Sequence, residues 1–254
     1  MTSDVFQLLP LPINNIELEK LKKFKKEYEM SYSVHLPIAS VELASPNKFI
    51  REGSIQSLMD SINSFKILEH DIDMFVLHTS GSFVAEIMKF SLDSKIKQFL
   101  SNIFIDFAIQ SINKVISETE IDKTKIAIEN AEFPIEGTIE IIKKLNGPKL
   151  CMDTAHFLAG FSGNVDLIEI TEKYLDITSE IHLQDYADNG LADHNALGVG
   201  KKFPVRFLKI INEYEFKGPI VFELSPQQAI ESINFIKKNA PEIKVPEIKN
   251  LAFY

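Results

Sequence analysis

The chain has a single cysteine, Cys151, which excludes an internal disulfide and fits a reducing compartment. It has no apolar run long enough to span a bilayer, so no membrane partner is expected. Its first residues, Met1-Thr2-Ser3-Asp4, lack the positive charge that opens a signal peptide, and a cytoplasmic protein is expected. Positive charge is short throughout: 27 Lys and Arg stand against 36 Asp and Glu, a net charge of -9. Lys and acidic residues alternate along the helices, which gives no broad nucleic-acid surface, although a local basic cleft is compatible with any total. Internal repeats, low-complexity tracts and linker-like stretches are absent as well. The 254 residues, 45% of them hydrophobic, can bury a sizeable core, and residues 1–254 are expected to form one domain.

What is present is an alternation of short apolar runs with amphipathic stretches. The expected strands are Val5–Leu9, Tyr32–Leu36, Asp73–Leu77, Lys125–Ile128, Pro148–Met152, Ser179–Leu183 and Pro219–Phe222. The expected helices are Ile16–Met30, Ser54–Glu69, a long one from Phe83 to Ser117, Ile135–Leu145, Val165–Leu175, Pro204–Tyr214 and Pro226–Lys238. In the long helix Ile96, Phe99, Ile103, Phe107 and Ile112 form a wide apolar face, read as core. Ser225 caps the last helix, with Pro226 at its first position. Such alternation argues for βα units and a parallel sheet, either open or closed into a barrel. No Gly-rich phosphate fingerprint follows the first strand, which removes the best support for a nucleotide-binding open sheet. Ionisable residues instead close nearly every strand, as a TIM-type (β/α) barrel requires of its mouth. Seven strands are legible, and an eighth is either missing or replaced by the tail Lys244–Tyr254.

The residues at these ends are His35, His78, Glu129, Asp153 with His156, His182 with Asp185, and Glu223, with His194 in the loop that follows Asp185. The segment from Leu150 to Gly160 shows the pattern most clearly: an apolar run ends in Asp153, and His156 lies just beyond. Taken alone it has two readings, a ligand pair or a helix cap with a loop histidine. Recurrence at strand after strand favours ligands. Uncompensated imidazoles and carboxylates converging on one mouth would be costly to bury, and a cluster of Zn, Mn or Fe resolves that cost. His70 falls near the end of a helix, where a capping role is the default.

Read in order, His-Leu-Pro, His-Thr-Ser-Gly, Ile-Glu-Asn, Asp-Thr-Ala-His, His-Leu-Gln-Asp, Asp-His-Asn-Ala-Leu-Gly-Val-Gly and Phe-Glu-Leu resemble the xylose isomerase-like TIM-barrel superfamily, which includes endonuclease IV. The resemblance runs from about Ser31 to Leu224. It implies a metal quartet of Glu129, Asp153, His182 and Glu223, as in the sugar epimerases of the group. It further implies a second ion on His35 and His78 with Glu129 as bridge, and a third on His156 and His194, as in the phosphodiesterase branch, so one to three divalent ions are expected. The third site departs from the pattern, because Ala192 stands where an aspartate is expected, leaving Asp193 or Asp188 as substitutes.

Val34-His35-Leu36-Pro37, Glu129-Asn130-Ala131-Glu132-Phe133-Pro134 and Asp193-His194 are most similar to the cobamide-remodelling phosphodiesterases. The implied activity is metal-dependent hydrolysis of a phosphodiester in a small molecule. A sugar isomerase or epimerase is the alternative, with Glu129 and Glu223 as its acid–base pair. The DNA-repair branch fits less well, since the loop Leu36–Ser40 brings neither an aromatic wedge nor an arginine. No organic cofactor is implied.

Overall fold

In the computed structural model, residues 15–28, 31–131, 133–187, 194–200 and 202–245 are described. Among them are six strands: β1 (Tyr32–His35), β2 (Ile72–Leu77), β3 (Ile126–Glu129), β4 (Lys149–Asp153), β5 (Thr178–His182) and β6 (Ile220–Val221). Six therefore stand where seven or eight are expected. The first expected strand, Val5–Leu9, and most of the tail Lys244–Tyr254 lie outside the described residues. The chain divides into two compact units, Met1–Cys151 and Met152–Tyr254.

In the first unit, β1, β2, β3 and the start of β4 pair in parallel, each with the next, as βα units demand. Phe75, Val76, Leu77, Ile126, Ala127, Ile128, Leu150 and Cys151 are buried, so these strands carry continuous apolar runs. The register sets the chemistry at their ends. His35 pairs with Val76, Leu77 with Ile128, and Glu129 with Cys151. His78, one residue past Leu77, is therefore level with Glu129 on the neighbouring strand.

The helices of this unit are α1 (Asn15–Tyr28), α2 (Lys48–Ser64), α3 (Ser82–Lys89), α4 (Ser94–Thr119) and α5 (Ile135–Leu145). The single helix expected over Phe83–Ser117 is two. Asp93 breaks it: its side chain accepts from the Lys95 N–H at 2.9 Å and caps α4. The buried stripe of α4 is Phe104, Ile105, Ala108, Ile112 and Val115, whereas Ile96 and Phe99, read as core in the sequence, are exposed. A hydrophobic tally of a long window cannot tell which turns have a neighbour. The second expected helix starts earlier than Ser54, because Asn47 accepts from the Phe49 N–H and caps α2 at Lys48.

The second unit holds the end of β4, α6 (Thr154–Ala159), α7 (Leu167–Tyr174), β5, α8 (Val205–Glu213), β6 and α9 (Pro226–Asn239). β5 and β6 pair in parallel, with His182 opposite Val221. Asp166 caps α7 through the Ile168 and Glu169 N–H groups. Ser225 and Gln228 cap α9 reciprocally, with Pro226 at its first turn as expected. Phe203 packs edge-on against Phe207 and Phe235, with centroids 5.8 and 6.3 Å apart, and anchors α8 and α9 to the preceding loop.

Candidate metal centre

In the first unit the parallel register brings His35, His78 and Glu129 together. Oε2 of Glu129 lies 3.0 Å from Nε2 of His35 and 3.0 Å from Nε2 of His78. The two imidazoles meet edge-on, 5.2 Å between centroids. His35 and Glu129 are buried, and His78 is mostly so. The Nδ1–H of His35 donates to the Leu36 carbonyl at 2.9 Å. That bond fixes the proton of a neutral imidazole on Nδ1 and leaves the Nε2 lone pair facing the carboxylate. A cation shared at their meeting point, a proton or a metal ion, satisfies both groups. A backbone carbonyl holding the distal nitrogen is the usual support for a ligating histidine. The donor set thus fits a divalent transition metal.

The second unit holds the remaining candidates. Asp153 ends β4 and also caps α6, its Oδ1 accepting from the His156 N–H at 2.8 Å. His156, expected on a loop, lies in the first turn of that helix, so the cap reading of the segment holds for Asp153, and its other oxygen has a partner of its own. That oxygen, Oδ2, accepts from Gln184 Nε2 at 2.5 Å. Nδ1 of His182 is 3.3 Å from Glu223 Oε2 and 3.8 Å from Asp153 Oδ2. Asp153, His182 and Glu223 can each turn one ligand atom to a common point, these atoms lying within 4.8 Å of one another.

Asp153, His156 and His194 meet the same criterion, with the two rings 5.8 Å apart. His194 Nε2 also lies 3.9 Å from Glu223 Oε2. Asp188, Ala192 and Asp193, named for the third site, fall outside the described residues.

Asp185 plays another part. Its carboxylate accepts from the backbone N–H groups of Tyr186, Gly198 and Gly200 at 2.8, 2.9 and 3.0 Å. It therefore organises the loop that delivers His194. Burial pushes its carboxyl above the ordinary aspartate range, against the pull of those three donors. Two buried groups were not singled out in the sequence. Gln184 bridges Asp153 and Glu223 through its amide, at 2.5 and 3.5 Å, and Glu180 reaches the far nitrogen of His182. The signal for Glu180 was its place two residues before His182 on a strand, which sends both side chains to one face.

The sequence profile of the "Xylose isomerase-like TIM barrel" family matches residues 3–239. A D-tagatose 3-epimerase-like protein superposes with a TM-score of 0.67 at 21% identity, over 90% of this chain and 84% of that one. Endonuclease IV from Thermus thermophilus superposes at 0.64 with 14% identity, over 91% and 84%. An uncharacterized protein of Methanocaldococcus jannaschii is 24% identical over 233 residues, 87% of this chain and 74% of its own. The two solved structures share the fold with this chain. Their catalytic classes differ, so fold alone leaves the reaction open.

Proposed function

The chain belongs to the xylose isomerase-like TIM-barrel family, and from that premise we propose that it is a divalent-metal-dependent hydrolase of a phosphodiester in a small molecule. One observation carries the reading: His35 and His78 share a carboxylate oxygen of Glu129 at 3.0 Å each. An epimerase of this family needs one ion on the quartet, and His35 and His78 would there serve as hydrogen-bond partners of sugar hydroxyls rather than as ligands of a second ion. A phosphodiester displacement gains from ions that stabilise both the entering and the leaving oxygen.

In this proposal His35, His78 and Glu129 hold one ion. Asp153, His182 and Glu223 hold another, and His156 with His194 supports a third. When bound, such ions polarise a phosphoryl oxygen and lower the pKa of a bound water. The protein's own contribution is orientation. The Leu36 carbonyl fixes His35, and the Gln184 amide donates to the Asp153 and Glu223 carboxylates and holds them side by side. Glu129 and Glu223 are the proposed catalytic carboxylates. The likeness of Val34–Pro37 to cobamide-remodelling enzymes favours a nucleotide-loop-like diester as substrate, with the whole chain acting as one domain. The described residues include no helix long and apolar enough to cross a membrane.

The test is metal analysis of protein purified without chelator, with a chromogenic phosphodiester and ketose sugars assayed in parallel. Two or more transition-metal ions per chain and diester cleavage are expected. One ion per chain with ketose epimerisation would replace the hydrolase by the epimerase reading.

A further inference from the structure

Glu180 lies in the middle of β5 and is buried, as is His182 two residues on. Its Oε1 is 3.3 Å from Nε2 of His182, while the opposite ring nitrogen, Nδ1, faces Glu223 at 3.3 Å and Asp153 at 3.8 Å. Both ring nitrogens thus face carboxylates, which only accept, but the contact with Glu180 is the one with hydrogen-bond geometry and so draws the proton of a neutral His182 to Nε2. Nδ1 is then the nitrogen with the lone pair, turned toward the two other ligand carboxylates. Glu180 is thus the group that selects this tautomer.

We propose that Glu180 is a positioning residue for the second-unit metal site: it fixes the tautomer and ring orientation of His182 and thereby sets the affinity of the ion that Asp153, His182 and Glu223 hold. The proposal rests on the reading of this cluster as a metal centre. Its physical basis is general, since the carboxylate behind a ligating histidine raises the basicity of the ligand nitrogen, and its loss costs about 10–100-fold in metal affinity. The competing account is a plain buried ion pair. In that case an apolar residue of similar volume would be neutral or stabilising and metal affinity would stay as it was.

The experiment uses the full chain carrying His78→Ala, which silences the first-unit site, and compares it with the same chain bearing Glu180→Leu or Glu180→Gln. Zinc affinity is read by competition with a chromogenic chelator. The His182 tautomer is read by nitrogen-15 NMR on the metal-free protein. Glu180→Leu is expected to bind zinc about 10–100-fold more weakly and to show a mixed His182 tautomer. Glu180→Gln, whose carbonyl oxygen still accepts from Nε2–H, should recover most of the affinity. Unchanged zinc affinity in the leucine variant, or a proton on Nδ1 in the metal-free parent, overturns the proposal. If the leucine variant does not fold, the parent's tautomer and the glutamine variant decide it. Failure of the parent itself to bind zinc would sink the metal-centre reading, while the tautomer still reports whether Glu180 orients His182.

Discussion

Glu129 receives two imidazoles on one oxygen, and the consequences of removing either are separable from folding. His78 is less buried than His35, so His78→Ala should leave the fold intact. We expect the metal content of replete protein to fall by about one ion per chain and phosphodiester turnover to fall at least tenfold, by the loss of one clamp on the reacting oxygens. Elemental analysis and initial rates read both. An unchanged ion count would remove His78 from the site. Asp153 has two duties that can be split by substitution. Asp153→Ala removes both the α6 cap and a proposed ligand, whereas Asp153→Asn keeps an oxygen for the His156 N–H and gives up only the charge. Both variants should lose the second-unit ion. In metal-free protein the alanine variant alone should lose about 1 kcal/mol, measured by urea denaturation. Equal stability of the two would show that the cap contributes nothing.

Among the elements, the loop between β5 and α8 is shaped by Asp185 and by glycines that let the backbone close around it. Asp185 and Asn195 exchange two backbone hydrogen bonds, at 2.8 and 3.0 Å, and the carboxylate gathers the N–H groups of Gly198 and Gly200. A Cβ on Gly200 would run into the carbonyl oxygen of Tyr186. Gly200→Ala should therefore destabilise the protein by about 1–3 kcal/mol and displace His194 with the loop. Thermal unfolding reads the first effect and the ring signal of His194 the second. An unperturbed melting temperature would mean that the loop relaxes freely.

The same carboxylate predicts a pH effect whose sign follows from its cause. Burial raises the folded-state pKa of Asp185 above its unfolded value. The folded protein therefore holds this proton more tightly, and the associated stability is present at low pH and lost as pH rises through the folded pKa. Relative to Asp185→Asn, wild-type metal-free protein should lose stability as pH rises through and above the ordinary aspartate range, followed by urea midpoints. A flat difference across that range would contradict the assigned direction.

For the molecule as a whole, each compact unit gathers buried imidazoles and carboxylates into one cluster. Such clusters favour a folded state that holds cations. Chelator treatment should therefore lower the melting temperature, and metal added back at about a hundred times its dissociation constant should restore about 2.7 kcal/mol per site. A melting temperature indifferent to both would argue that neither cluster binds metal. Membership of the xylose isomerase-like TIM-barrel family fixes the scaffold on which these sites sit, and the ligands rather than the scaffold choose the reaction.

The βα alternation, the type of nearly every described element and the ionisable residues gathered in the two candidate clusters are legible in the order of amino acids. Strand cores are continuous apolar runs, and the ionisable residues that interrupt them at their ends are visible without coordinates. Ile135–Leu145 is legible to the residue because its apolar spacing and the Asn146 stop agree. The rest depends on contacts between segments far apart in the chain. Register between distant strands sets His78 level with Glu129, and no local signal encodes that pairing. Packing partners, which a hydrophobic pattern does not name, make Phe104 buried and Phe99 exposed on the same helix. The hydrogen bonds that choose which nitrogen of His35 and of His182 faces its carboxylates come from a carbonyl and a glutamate that only the fold aims at those rings.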